Sequence, residues 1–432
     1  MRRIAITGFE AASAFGIGHE HLWHGLVNGK NGIREIGQFD AATLPVRIAG
    51  DVPEFDYASL RQHDPQLFSP TPESRCVQFS LACVSNALAM AGLNFRRWSD
   101  PQKVGVFLAD RETGIAPLIE EFAPLQVASF DRKTNVIKSD EYLSRLRAAD
   151  AFAGVRGLDP EKISLVVAKR IGIEGPNVSV GTACASGNDA IGQAAQYIAE
   201  GEIDIAIAGG SYELDLIAMI GFARLEALTA NPDPETACRP FDSNRNGFVM
   251  ASGAGVLVLE EMEHAKRRGA VILGEVAGYG NCCDAYRATD PHPEAEGSFR
   301  ALQQAMRNAA VGAEDIDYIA AHGTSTKLND RTETIAIKRA LGDHAKAVPI
   351  SASKSMIGHT IMAAGAIQAI IGLKTIATGV VHPTRNLIES DPECDLHYVP
   401  LQAIERRVDV VASNSFGFGG QNACLVLRRF EH

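Results

Sequence analysis

The chain has 432 residues, 46% of them apolar and 22% charged, which suits two or three domain-sized units or one large α/β body and excludes disorder as its main state. With 41 basic against 52 acidic side chains the net charge is −11, which argues against a nucleic-acid binder and against adhesion to anionic membranes. Eight cysteines without a CxxC pair make neither a disulfide scaffold nor a zinc or thioredoxin-like site, and read as reduced thiols of a cytoplasmic enzyme.

The N-terminus, Met1-Arg-Arg-Ile-Ala-Ile-Thr-Gly8, lacks the long apolar region of a signal peptide and reads as a first strand entering a glycine turn. Short β-branched runs at 4–7, 104–108, 178–180, 203–208, 316–320, 348–350 and 408–412 predict strands. Their apolar character fits strands covered on both faces. Ala/Leu-rich stretches at 75–91, 187–200, 299–310 and 363–378 predict the helices between them. Residues 131–170 carry no motif and read as a surface excursion. The most membrane-like stretch, 361–381, is interrupted by Gln368 and Lys374, so it predicts a helix buried in a large core rather than a membrane span.

Two internal echoes predict a duplicated α/β unit. Val178-Ser-Val-Gly-Thr-Ala-Cys184 leads into a helix running from Gly187 to Gly201, and Ile350-Ser-Ala-Ser-Lys354 leads into one running from Gly365 to Gly379. Gly253-Ala-Gly-Val-Leu-Val-Leu-Glu260 is echoed by Gly420-Gln-Asn-Ala-Cys-Leu-Val-Leu427 in the same order. The seam falls near Glu263–Gly269, dividing the chain into 1–265 and 266–432.

Four segments carry chemistry, each where a strand ends in a loop of small residues, the place where open α/β sheets bind ligands. In Gly181-Thr-Ala-Cys184-Ala-Ser-Gly the cysteine falls at a helix N-terminus, which favours thiolate. From this motif alone, nucleophile and packed small hydrophobe stay open. Ala320-Ala-His322-Gly-Thr-Ser-Thr326 sets a histidine at a strand end among hydroxyl residues. Ser353-Lys354-Ser-Met-Ile-Gly-His359 places a cation before an apolar helix, where burial is expensive. Asn414-Ser-Phe-Gly417-Phe418-Gly419-Gly420-Gln-Asn422 leads into a strand, so it is not a dinucleotide fingerprint. Its glycines let backbone N–H groups form an oxyanion hole.

In this order, Cys184, His322, Lys354, His359 and Gly417-Phe-Gly-Gly420 resemble the elongating β-ketoacyl-acyl-carrier-protein synthases, condensing enzymes of fatty-acid and polyketide assembly. The resemblance spans essentially the whole chain. It includes Asn31-Gly-Ile33, Arg239-Pro-Phe-Asp242 with Arg245-Asn-Gly-Phe248, Val256-Leu-Val-Leu-Glu-Glu261 with Glu263-His-Ala-Lys266, and Cys394-Asp-Leu396. It implies an α/β, thiolase-like fold of two duplicated halves in five αβαβα layers. It also implies a dimer, homomeric or paired with a related ketosynthase-like subunit, and acyl carrier protein as partner.

The implied reaction is a decarboxylative Claisen condensation with malonyl-acyl carrier protein. Its substrates ride on phosphopantetheine, and no metal or other cofactor takes part. By resemblance, Cys184 takes the acyl chain, and His322 and His359 donate N–H to the malonyl thioester oxygen. Lys354 sets the local field, with Glu333 and Asp330 as its charge partners. The N–H groups of Cys184 and Phe418, in the Gly417–Gly419 turn, form the oxyanion hole, with the Phe418 ring as gate. Thr324 and Thr326 bind pantetheine amides.

Several positions depart from the family pattern. Glu112 falls where an apolar residue lines the acyl channel, with Arg111 as an available partner. Glu226 stands at an often basic spot, and no Lys or Arg lies between Arg61 and Arg75, which weakens the expected basic docking patch for an acidic carrier. Two other readings compete. A non-catalytic chain-length-determining partner would typically lack the cysteine. A CoA-dependent thiolase would carry a second cysteine where Gly417-Phe-Gly-Gly420 stands.

Overall fold

The computed structural model describes residues 2–69, 74–109, 115–149 and 162–431. The apolar runs form strands β1 (Ile4–Ser13), β2 (Val104–Ala109), β3 (Asn177–Val180), β4 (Ile205–Tyr212), β5 (Gly253–Glu261), β6 (Gly274–Cys283), β7 (Tyr318–Ala320), β8 (Ile350–Ser351), β9 (Val410–Gly417) and β10 (Gln421–Arg428). They lie in one sheet in the order β8-β7-β9-β10-β6-β1-β5-β4-β2-β3, with the short strand Gly16–Ile17 folded back on β1. Every residue of β1, β2, β4 and β5 is buried, as strands covered on both faces require.

The sheet consists of two five-strand halves with one pairing pattern. In one half β3, β2 and β4 are parallel, and β4, β5 and β1 continue antiparallel. In the other, β8, β7 and β9 are parallel, and β9, β10 and β6 continue antiparallel. The halves join where β1 pairs with β6 at Ala5–Glu275 and Ile6–Gly274.

The helices repeat the correspondence: α1 (Arg75–Met90), α2 (Ile163–Ile171), α3 (Ser186–Glu200), α4 (Leu216–Arg224), α5 (Glu296–Asn308), α6 (Lys327–Leu341) and α7 (Ala364–Thr378). α1 covers β1 and β5 from outside, and α5 covers β6 and β10. α3 and α7 lie between the half-sheets and touch each other, which gives the five αβαβα layers. Each ends in a left-handed glycine cap, Gly201 and Gly379. The two sequence echoes are therefore β3–α3 against β8–α7, and β5 against β10.

Some boundaries differ from the sequence reading. β1 does not stop at Gly8 but passes through a register shift between Ile6 and Gly8 and runs on to Ser13. Asn414–Gly417 belong to β9 rather than to a loop, and Lys354 opens a short helix, Lys354–Ile357. The apolar stretch Ile361–Thr378 is 78% buried inside the protein, as a core helix should be. In the excursion, a two-residue hairpin (Phe130–Asp131 with Val136–Ile137) and a helix (Ser139–Ala148) lie largely exposed.

Candidate active site

Cys184 sits in the tight turn Ala183–Ala185, between the end of β3 and the first residue of α3. The residue before it, Ala183, has φ +49°, a left-handed conformation costly for a side chain other than glycine. The Thr182 N–H donates to Ser186 Oγ (2.8 Å), and the Ser186 hydroxyl donates to the Ala183 carbonyl (2.6 Å), bracing the turn. The sulfur is buried yet lines an internal pocket.

Both histidines reach it. His322 follows β7, and its loop is held by α6: the N–H groups of His322 and Gly323 donate to the two oxygens of Glu333, each at 2.8 Å. His359 Nε2 lies 3.1 Å from Cys184 Sγ, and its Nδ1 accepts the Ile361 N–H at 3.2 Å. A backbone donor on Nδ1 puts the ring proton on Nε2, facing the sulfur. The two imidazoles meet edge to face, centroids 5.3 Å apart. Burial, reinforced by the Lys354 charge, holds both rings well below the usual 6.5, so both are neutral donors.

The thiolate favoured by the helix terminus is a correction. Burial pushes the Cys184 thiol up to about 12, against the opposing pull of Lys354 and of the Cys184 and Phe418 N–H groups. Burial thus favours the protonated thiol over the thiolate.

Lys354 is fully buried, and its Nζ donates to the His322 carbonyl (2.6 Å) and to Gln368 Oε1 (2.8 Å). Gln368, read from sequence only as a polar interruption, fastens the centre. Its Nε2 donates to the carbonyls of Ala320, Ala321 and Asn414. Glu333 also accepts Asn414 Nδ2 at 3.1 Å. Burial pushes the Glu333 carboxyl up and the Lys354 ammonium down, while the N–H donors of Gly323, His322 and Asn414 pull Glu333 back and the Glu333 charge holds Lys354 up.

Asp330, like Glu333, acts on Lys354 through its charge, which helps hold that ammonium up. It faces Arg245 Nε at 3.5 Å and accepts the N–H groups of Phe241 (2.8 Å) and Thr324 (3.0 Å). Arg245 is itself buried and bonds Asp391 at 2.6 Å. An arginine is the only cation there whose charge survives burial unconditionally, so it takes the deeply buried carboxylate.

The β9–β10 turn closes the site. Gly417 passes so near the cysteine turn that a Cβ on it would lie 2.9 Å from the Cys184 backbone nitrogen. Gly419 takes φ +79° and donates its N–H to the Ala288 carbonyl. The Phe418 ring lines the pocket, 6.0 Å from the Phe222 ring. The pocket holds about 390 Å³ and is lined by Cys184, His322 and His359, by Thr324 and Thr326, whose hydroxyls lie 2.9 Å apart, and by Glu226, Asp290 and Lys327. Thr326 additionally caps α6 through the Asn329 N–H. Glu112 and Arg111 lie outside the described residues.

Cys184, His322 and His359 offer a sulfur and two ring nitrogens within 4.8 Å of one another, ligand types that suit a soft metal ion. The fit is poor at His359, because the Ile361 N–H on Nδ1 leaves Nε2 protonated. That corner presents a hydrogen-bond donor where a metal needs a lone pair.

Comparison with known proteins agrees across the chain. Residues 1–265 match the family described as Beta-ketoacyl synthase, N-terminal domain, and residues 273–388 match Beta-ketoacyl synthase, C-terminal domain. A Coxiella burnetii protein named 3-oxoacyl-[acyl-carrier-protein] synthase 2 is 39% identical over 430 residues, 99% of each chain. A solved type II polyketide synthase acyl-carrier protein in complex with its ketosynthase is 32% identical, with a TM-score of 0.83 over 99% of this chain and 100% of that one. The solved ishigamide ketosynthase/chain length factor is 34% identical, with a TM-score of 0.83 over 100% of both chains.

Proposed function

This chain belongs to the β-ketoacyl synthase family, and from that premise we propose that it elongates an acyl chain by two carbons through decarboxylative Claisen condensation with malonyl-acyl carrier protein. The single observation that carries the assignment of residues is the meeting of one sulfur with the Nε2–H of His359 and the ring of His322 at the base of a common pocket.

The steps follow from the donors present. Cys184 sulfur attacks the carbonyl carbon of an acyl thioester, and the oxygen takes negative charge opposite the N–H groups of Cys184 and Phe418. Collapse expels the pantetheine sulfur, which leaves with the proton of the Cys184 thiol, so the acyl group is transferred without an ionised resting cysteine. Malonyl thioester then enters. Its C–C bond to the carboxylate breaks as CO₂ leaves, and the electron pair delocalises onto the thioester oxygen. Neutral His322 and His359 donate to that oxygen without surrendering a proton. The resulting carbanion attacks the acyl-cysteine carbonyl, the same oxyanion donors serve again, and the cysteine sulfur leaves as thiolate and takes up one proton from solvent water, replacing the one that left with the pantetheine thiol.

Lys354 sets the field around the imidazoles while Gln368 and the His322 carbonyl fix its position. Thr324 and Thr326 hold the pantetheine amides, and Phe418 gates access between loading and extension. Residues 1–265 supply the nucleophile, and residues 266–432 supply the imidazoles, the lysine and the glycine turn. The substrates ride on carrier phosphopantetheine, in the cytoplasm, and the working unit is a homodimer or a heterodimer with a related ketosynthase-like subunit. Retention of the thiol and both imidazoles disfavours a non-catalytic chain-length role.

Intact-protein mass spectrometry after incubation with a panel of acyl-carrier thioesters tests this. Wild type gains one acyl group, mapped to Cys184, and then discharges it as a β-ketoacyl product on addition of malonyl-carrier. Cys184→Ala takes up none. A Cys184 that stays unacylated with every carrier and candidate partner subunit refutes the assignment.

A further inference from the structure

The cysteine turn is held in a conformation it would not choose. Ala183 stands at φ +49° between Thr182 and Cys184, and a side-chain-bearing residue there costs more than one neutral hydrogen bond returns. Thr182 is pinned at two points. Its N–H reaches Ser186, as described, and its hydroxyl donates to Asp189 Oδ2 at 2.5 Å. The other oxygen of Asp189 accepts the Tyr279 hydroxyl at 2.7 Å. We propose that Asp189 is a positioning residue for the nucleophile, its carboxylate clamping Thr182 from one side and Tyr279 from the other so that the Cys184 sulfur and N–H point into the pocket.

The geometry separates this from an ordinary acidic residue in a first helical turn. Such a residue complements the helix dipole from the surface, whereas Asp189 is 2% exposed and both its oxygens are taken by side-chain hydroxyls. Its two partners come from opposite halves of the duplicated sheet: Thr182 follows β3, and Tyr279 lies on β6. Tyr279 is anchored in turn, its carbonyl accepting Asn308 Nδ2 from α5 at 2.7 Å. The second half thus braces the turn that carries the first half's thiol. A small release of that turn shifts the Cys184 N–H and the sulfur together, while His322, His359 and Lys354 are fastened separately by α6, Ile361 and Gln368.

This proposal rests on the reading of Cys184 as the acyl acceptor, and its test reads acylation and decarboxylation side by side. Thr182→Val and Tyr279→Phe each remove one hydroxyl at near-constant volume. Each is expected to slow single-turnover acylation of Cys184 about 10- to 100-fold, leaving KM for the acyl carrier and the rate of malonyl-carrier decarboxylation within about twofold of wild type. Thr182→Ser restores the hydroxyl and the rate. If Thr182→Val does not fold, Tyr279→Phe, which keeps the ring packing, carries the test. Acylation within twofold of wild type in the folded hydroxyl-deletion variants overturns the clamp, as does a proportional fall in acylation, carrier affinity and decarboxylation. A wild-type protein that accepts no acyl group overturns the reading of Cys184, and the clamp with it.

Discussion

Gly417→Ala separates the oxyanion donors from the imidazoles. The backbone at Gly417 is extended, φ −124° and ψ 159°, so alanine adopts it freely and only space resists. A Cβ there would lie 2.9 Å from Cys184 N and 3.1 Å from both Ala183 Cβ and Thr182 O, where ordinary contact begins near 3.4 Å. All three obstacles belong to the cysteine turn, two of them backbone atoms. The end of β9 and that turn must therefore part by about 0.5 Å, a modest overpacking expected to cost about 1–3 kcal/mol of stability.

Oxyanion donors act at about 2.7–3.1 Å, and losing one outright lowers kcat by about 10²–10³-fold. Half an ångström takes Phe418 N–H to the edge of that range, so acylation of Cys184 should slow about 10- to 100-fold. Decarboxylation of malonyl-carrier, which the proposed mechanism assigns to His322 and His359, should stay within about threefold. Single-turnover acylation followed by mass spectrometry, with CO₂ release measured in parallel, checks both. Acylation at the wild-type rate in a variant that unfolds at measurably lower denaturant would refute the oxyanion role of this turn.

Other expectations test separate parts of the centre. His322→Ala should abolish malonyl decarboxylation, and near-normal CO₂ release would remove the donor role from that ring. Because burial holds both imidazoles well below 6.5, the decarboxylation rate should be flat from about pH 7.5 to about 5.5, and a limb with its midpoint near 6.5 would contradict neutral donors. The same shift has a sign for stability. Below about 6.5 the unfolded chain binds protons at these histidines that the folded chain does not, so their contribution is present above that pH and lost as pH falls. Urea midpoints across the range should show this fall. Arg245→Met takes from buried Asp330 its ion-pair partner, which should destabilise the fold by about 3–5 kcal/mol. A loss below about 1 kcal/mol by denaturant unfolding would show that the N–H donors of Phe241 and Thr324 suffice.

Most of the architecture was legible because buried strands between helices write long apolar runs. The ends were not. β4 ends in Gly209-Gly-Ser-Tyr212 and β9 in Asn414-Ser-Phe-Gly417, residues whose composition signals a turn but whose burial is imposed by the helices packed on them. Singly, the cysteine, the two histidines and the lysine were weak signals after strand ends; their order along the chain, through the resemblance it carries, singled them out as a set, and Cys184, His322 and His359 do lie together. What they bond to was not legible. Gln368 meets Lys354 across a helix and a loop, and nothing in its neighbours along the chain marks it as more than a polar residue in an apolar helix. The thiolate expectation failed for a related reason: local sequence shows the helix end but not the depth at which the sulfur is buried.

The duplication explains how distant segments converge. α3 and α7 are counterparts, and they meet near their N-termini. There a Cβ on Gly187 would lie 2.7 Å from Ala366 N, and one on Gly365 would lie 2.6 Å from Asn188 N. Backbone therefore packs directly on backbone at that crossing. The turn before α3 carries Cys184, and the segment before α7 carries Lys354 and His359. Glycine at the crossing thus sets the separation of sulfur from imidazole, and one structural unit used twice brings a thiol and two imidazoles to one point. Gly365→Ala should consequently impair acylation and decarboxylation together, in contrast to Gly417→Ala. A Gly365→Ala protein that folds and loses only one of the two activities would break this link between fold symmetry and site assembly.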